Sequence, residues 1–448
     1  MKIPLKPPDI FSSLGDTPAG QRQRVIREGK ILAAGAYLHW DQLRHREPPA
    51  GLAPEEWWAG TKLARLMARE ETPFVQKCGR AFTMVHTAPI RKRLHEIDQT
   101  LGMVGPRSDV HDLVDAHGRK YLLANSIVEE AIYSSQLEGA ATTRAAAREM
   151  VRAGRRPRTR GERMILNHYR ANERIEELAR EDLTETAVFE LHRMLVDGTL
   201  DDPEKAGVYR QASDKTVVTL LNSPEDEIAH VPPEASELPE RMKRLLAFAN
   251  GRTPDEWLHP VLRAITLHFM IGYDHPFVDG NGRVARALFY WAMARYGYSL
   301  ARFLTVSRIL REAPARYATA YLHTETDEGD LTYFIDHQLR VITRSIDALR
   351  DYVRKKVSEV RTIEDRLRDG GEWNHRQLRL LGHALRHPGF RYTVRSHQTS
   401  HGVTTNTARA DLHGLAAAGL LALTRRGARH EFLAPHDLEL MLDSLERR

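Results

Sequence analysis

The chain has a single cysteine, Cys78, in 448 residues, which excludes an internal disulfide and any cysteine-rich metal site. No apolar run approaches the length that crosses a bilayer. The start, MKIPLKPPDIFSSL, lacks the apolar middle of a signal peptide. A cytoplasmic location without membrane association is therefore expected. A dominant charge is missing too, since 66 basic residues face 60 acidic ones for a net +6. Lysine is absent from Gly371 to Arg448, where 11 arginines stand against 7 acids, so +4 of the +6 lies there. Such a tail can meet polyanions. Hydrophobic residues at 42% and charged residues at 28% describe a folded chain, long enough for more than one domain.

Strand signals are also scarce. Helical spacing runs through Glu55 to Glu70, Ala88 to Leu101 and Lys120 to Met150, then breaks at the arginine-rich Ala153 to Arg163, a composition typical of a solvated loop. Further helices are expected over Glu234 to Ala249, Trp257 to Gly272 and Arg283 to Tyr296, and one extended helix, or two in series, before Gly370-Gly371. The β-branched KTVVTLL, followed by Asn-Ser-Pro, is the one clear strand signal before the C-terminal region and predicts a hairpin or flap.

One stretch breaks the apolar pattern, HPFVDGNGRVAR from His275 to Arg286. Trp257, Leu258, Val261, Leu262, Ile265, Phe269 and Met270 precede it, and Val284, Leu288, Phe289, Trp291 and Met293 follow. Both flanks read as helices buried in a bundle. Successive N–H groups in a Gly-Asn-Gly loop at a helix start can converge on an anion. Arg283 and Arg286 add donors that match phosphate, Asp279 suits a magnesium ion bridging phosphates, and His275 suits proton removal near neutrality. Anion nest, cation clamp, metal ligand and base together describe phosphoryl transfer.

The stretch resembles the Fic signature HPFx[D/E]GNGRxxR at every specified position, and weaker similarity, including Gly207-Val208-Tyr209-Arg210 and the flap after it, extends from about Ala88 to Arg350. The resemblance implies a mainly α fold, a Fic-type helical bundle with a short β-hairpin flap. It implies transfer of AMP from ATP to a Tyr, Thr or Ser hydroxyl of a target protein or of the chain itself, with release of pyrophosphate. In that scheme His275 is the base and Asp279 holds Mg²⁺. Gly280, Asn281 and Gly282 cradle phosphate oxygens, Arg283 and Arg286 grip the outer phosphates, and Phe277 anchors the loop. Thr216, Val217, Val218 and Thr219 would align the target by adding its backbone as a strand.

Upstream, Ser134-Ser135-Gln136-Leu137-Glu138-Gly139 fits the family's inhibitory pattern [S/T]xxxE[G/N]. Ser134 and Glu138 share a helix face, and Gly139 offers a helix end. The resemblance implies that Glu138 pairs with Arg286 and displaces the triphosphate from its productive pose.

After Gly371 the order helix, helix, helix, basic hairpin, with GVTTNTARADLHGLAAAGLL, resembles a winged helix-turn-helix. That implies DNA contact by Thr405, Asn406 and Arg409 in the major groove and by Arg425, Arg426 and Arg429 on phosphates. The expected segments are 1–86, mostly helical and of unread role; 87–175, with the inhibitory helix; 176–345, the catalytic core; 346–371, a helical linker; and 372–448, the winged helix. A transcriptional regulator whose core senses nucleotide or modifies itself stays open, as do removal of AMP and transfer of another nucleotide. For the N-terminal segment, a cover over the core, a homodimer surface and a target-holding role all stay open.

Overall fold

The computed structural model describes residues 2–102, 118–220, 227–369, 373–426 and 429–445. Helices dominate, and they fall into two compact units, Met1–Pro106 with Ser126–Ile346, and Arg107–Asn125 with Asp347–Arg448. Among the described residues no helix is long and apolar enough to cross a membrane.

In the larger unit α1 (Ile10–Asp16), α2 (Ala19–Glu28), α3 (Trp40–Leu43) and α4 (Pro54–Ala68) close over Trp40, Trp57 and Trp58. They are not a free-standing domain. Lys62 reaches Asp327 at 2.5 Å, and Arg65 reaches the Tyr333 hydroxyl at 2.9 Å. Both contacts are buried, where a charge persists only with a partner. The N-terminal segment is thus part of the same compact body as the His275–Arg286 motif.

Two strands follow that the sequence reading missed, β1 (Glu70–Val75) and β2 (Ala81–Met84), paired antiparallel. The expectation that the flap holds the first strand is overturned. A proline and paired acids in EETPFV hide the strand pattern, and tertiary burial of Phe74 and Phe82 supplies what local propensity does not.

Next come α5 (Ala88–Leu101), α6 (Gly118–Leu137), α7 (Arg144–Ala153), α8 (Arg160–Leu178) and α9 (Glu185–Val196). The pattern read as continuous from Lys120 to Met150 is interrupted between α6 and α7, at Gly139 with φ +87°. The arginine-rich loop is shorter than expected, because α7 runs to Ala153 and Thr159 caps α8 at Arg160. The flap is β3 (Val218–Thr219) against β4 (Ile228–His230), antiparallel.

Then α10 (Leu238–Ala249), α11 (Pro260–Asp274), α12 (Asn281–Arg295), α13 (Val306–Glu312), α14 (Pro314–Thr326) and α15 (Thr332–Asp369) complete the body. Helices α11 and α12 are the buried pair, with Ile265, Phe269, Leu288 and Trp291 all inaccessible. Trp257 is a correction. It lies before the His259 cap and Pro260 at the first helical position, and it is 79% exposed.

In the smaller unit α16 (His375–Arg386), β5 (Arg391–Tyr392), α17 (Val394–His401), α18 (Thr405–Ala417), β6 (Ala422–Arg426) and β7 (Arg429–Leu433) enclose Leu381, Leu412, Leu415 and Phe432. The sheet order is β5-β7-β6. Gly402, at φ +62°, turns α17 into α18, which Thr404 caps. A further helix, α19 (Leu438–Leu445), was not foreseen. The hairpin tip at Gly427, and the boundary at Gly370-Gly371, lie outside the described residues.

Burial gives the larger unit an acid-sensitive stability. His39, His168, His192, His268 and His323 are almost inaccessible, and burial above all holds their pKa values down at about 3 to 4. Burial pushes Glu130 and Asp274 the other way, up to about 7. From about pH 6.5 down to 4.5 the unfolded chain takes up the five histidine protons, while the folded chain holds two extra carboxyl protons. Five outweigh two, so stability present above pH 6.5 is lost as pH falls, by about 1 kcal/mol per pH unit for each uncompensated group. Thermal midpoints measured from pH 7 to 5 are expected to fall; a flat or rising midpoint contradicts this assignment.

Candidate active site

Helix α11 ends where His275 takes the left-handed conformation, φ +47°, and α12 begins after Gly280, φ +86°. The six residues between them form a tight loop. A Cβ at Gly280 would lie 2.8 Å from Val196 Cγ1, so only glycine fits both the angle and the space. Phe277 is wholly buried, stacked at 3.8 Å on the His192 ring. Truncating such a side chain costs about 3–5 kcal/mol.

Three residues outside the loop, or folded back on it, fix its backbone. Asn281 accepts the Phe277 N–H at 2.9 Å and donates to the Phe277 carbonyl at 2.7 Å. Its side chain therefore braces the loop instead of facing outward, a difference from the expected phosphate contact. His192 accepts the Gly207 N–H at Nδ1, 2.8 Å, which leaves Nε2–H to donate to the Asp279 carbonyl at 2.9 Å. Arg210 donates from Nε to the His275 carbonyl at 2.7 Å, and its N–H donates to the Pro276 carbonyl at 2.9 Å. The roles of His192 and Arg210 escaped the sequence reading; the only signal was Arg210 closing the quoted Gly-Val-Tyr-Arg.

His275 Nδ1 lies 3.1 Å from the Gly272 carbonyl, so Nδ1 carries the proton and Nε2 keeps a free lone pair. Burial lowers its pKa to about 4, and the ring is neutral at physiological pH. Asp279 accepts the Gly280 N–H at 2.6 Å with Oδ1 and Arg283 Nη2 at 3.2 Å with Oδ2, and remains partly exposed. Arg160, from the loop read as merely solvated, stands 3.9 Å from the same oxygen. Arg283 is fully buried, donates to the Leu195 carbonyl at 2.8 Å, and leaves its Nε without an acceptor.

Arg286 is held at Nε and Nη2 by α6 and the turn that follows it. Its Nε donates to Ser134 Oγ at 2.7 Å, and its Nη2 donates to the Ser134 carbonyl at 3.0 Å and to Glu138 Oε1 at 2.9 Å. Ser134 is inaccessible, and the Glu138 side chain is 27% exposed. A Cβ built on Gly282 would meet Glu138 Oε1 at 2.2 Å. The carboxylate therefore rests on the first turn of α12, against Arg286, as an anion supplied by the chain itself. Gly139 ends that segment in open space.

Of the flap residues, Val217 and Thr219 are exposed and Thr216 and Val218 half-buried. Among the described residues β3 pairs with β4 alone. The flap is tied down by His230, whose Nε2 is 2.7 Å from the Tyr273 carbonyl and whose Nδ1 is 2.6 Å from Glu325. In the smaller unit Thr405, Asn406 and Arg409 are exposed on the opening turns of α18. The side chains of Arg425, Arg426 and Arg429 lie outside the described residues.

A neutral histidine beside a buried helix start, and an internal carboxylate on that helix's arginine, define the class: a helical domain with an anion of its own seated at a helix N-terminus. Residues 182–293 match the Fic/DOC family model. A protein adenylyltransferase Fic from Nematostella vectensis is 31% identical over 168 residues, 38% of this chain and 34% of that protein. One from Drosophila melanogaster is 32% identical over 117 residues, 26% of this chain and 21% of that protein. The chain thus spans about a third or less of these curated relatives. A Fic family protein of known structure from Desulfovibrio desulfuricans G20 is 20% identical, with a TM-score of 0.49 over 78% of this chain and 97% of that one.

Proposed function

We propose that the chain is an autoinhibited protein adenylyltransferase, transferring AMP from ATP to a protein hydroxyl, its own or a target's. The observation that carries this reading is Glu138 held on Arg286 and against Gly282, an anion seated where the scheme needs a phosphate oxygen. The site fits an anion in a further respect, the orphaned Nε of Arg283. No cluster of three metal-ligating side chains occurs among the described residues, so Asp279 would hold Mg²⁺ together with phosphate oxygens, as this ion commonly binds. The ion would supply positive charge that stabilises the phosphates during transfer.

In this scheme His275 Nε2 takes the hydroxyl proton, the oxygen attacks the α-phosphorus, and the bond to the β-phosphate oxygen breaks to release pyrophosphate. Arg283 and Arg286 position the chain of phosphates, and positioning supplies most of the rate. The exposed edge of β3 would take the target's backbone as an added strand. The test is incubation of the Glu138→Gly protein with magnesium and ATP labelled at the α-phosphate, followed by mass spectrometry. Label attached as AMP to a hydroxyl side chain is expected; absence of protein-bound AMP overturns the reading.

The smaller unit supports a second, separable activity. We infer that it is a winged helix-turn-helix that meets DNA through Thr405, Asn406 and Arg409, because these three share one exposed face of α18 at helical spacing. Affinity for duplex DNA is expected to fall roughly tenfold or more between about 50 and 200 mM salt, with His275→Ala binding as the wild type does. Binding insensitive to salt, measured by anisotropy, rules it out.

A further inference from the structure

Behind the inhibitory segment of α6 lies a second cavity of about 430 Å³, lined in part by Glu130, Asn172, Arg180, Tyr290, Tyr298 and Arg302. It takes in the far end of α12, two turns beyond the motif arginines, and shares none of the motif residues.

Two polar groups in its lining have opposite needs. Glu130 is 2% exposed. Its oxygens accept the Ser307 N–H at 3.1 Å and the Ser307 hydroxyl. Among the described residues no cation forms an ion pair with it. Burial favours its protonated form, and a cation beside it would favour the carboxylate instead. Arg302 pairs with Glu176 through Nη1, yet its buried Nε has no acceptor. One group lacks a cation and the other lacks an acceptor, on two walls of one cavity. The hydroxyls of Tyr290 and Tyr298 are already committed, to the Leu304 carbonyl at 3.0 Å and to Asp98 at 2.6 Å, so their rings serve as walls.

We propose that this cavity binds an amino-acid-sized zwitterion, its ammonium on Glu130 and its carboxylate on Arg302, and that occupancy strengthens inhibition. The volume falls within the range of small-molecule sites. The second half of the proposal rests on the function proposed above. Glu130 and Ser134 lie one turn apart on one face of α6, and Glu138 follows four residues later in the turn that ends it. A ligand that bridges α6 to the segment around Arg302 favours the conformation in which the cavity exists, which is the one with Glu138 on Arg286.

The experiment measures thermal midpoints of the full chain with each standard amino acid at millimolar concentration, then the affinity of those that raise it. At least one should raise the midpoint of the wild type. Its dissociation constant should weaken at least tenfold in Glu130→Gln and in Ala294→Leu, a lining residue of α12 whose enlargement fills the space. The same amino acid should lower AMP labelling of the wild type severalfold and leave Glu138→Gly unchanged. No shift with any amino acid, or a shift that both variants retain, overturns the site. Equal inhibition of wild type and Glu138→Gly overturns the coupling. Failure of Glu138→Gly to label at all would count against the transferase reading, while the binding measurements still decide the cavity.

Discussion

Glu138→Gly is expected to raise AMP incorporation from labelled ATP by on the order of 100-fold over the wild type. The size follows from position: a reacting group misplaced by about an ångström can cost a factor of 10². In the structure Ser134 and Glu138 engage Nε and Nη2 of Arg286, which leaves only Nη1 for a phosphate, beside the occupied space over Gly282. The Glu138 carboxylate also occupies the space over Gly282, where a triphosphate oxygen would meet both bulk and like charge. Glycine removes both obstacles and leaves Ser134 holding the guanidinium. The substitution unpairs a buried cation, and the variant should be less stable without nucleotide. ATP should accordingly raise its thermal midpoint more than that of the wild type. Equal labelling, or a smaller response to ATP, would remove autoinhibition from the account.

His275→Ala, introduced into Glu138→Gly, is expected to lower transfer by 10²- to 10⁴-fold, the usual contribution of a positioned base. The Gly272 carbonyl fixes the tautomer that leaves Nε2 unprotonated. With burial holding the ring's pKa at about 4, the base form is complete from pH 5 upward, so the rate should not fall between pH 7 and 5 through loss of this base. Nucleotide affinity should persist, since the loop is fastened by Asn281, His192 and Arg210 and not by the imidazole. Transfer that survives the substitution would assign the base elsewhere.

The motif was legible because its chemistry is local. Histidine, acid, glycines and arginines stand within a dozen residues, and Gly280 announces the left-handed turn that starts α12. Glu138 was legible only through its pattern with Ser134. His192 and Arg210 were not, because each acts on backbone carbonyls 87 and 65 residues away, a relation that exists only in the folded chain. Trp257 misled for the opposite reason: an apolar side chain invites burial, but the cap at His259 places it before the helix. The strands β1 and β2 depend on burial of Phe74 and Phe82, which no alternation in EETPFV foretells. Glu130 reads as one more helical acid until the cavity beside it is seen.

The tether between Glu138 and Arg286 also sets how the protein would respond to its surroundings. An anion carried on the same chain competes at a local concentration of about millimolar or higher, and dilution or depletion cannot wash it away. Under the proposed function, a surge of free nucleotide would therefore switch the enzyme on poorly. A change in the reach of the segment that carries the carboxylate would do so well, and the protein would then listen to mechanical events around that segment more than to the energy charge of the cell.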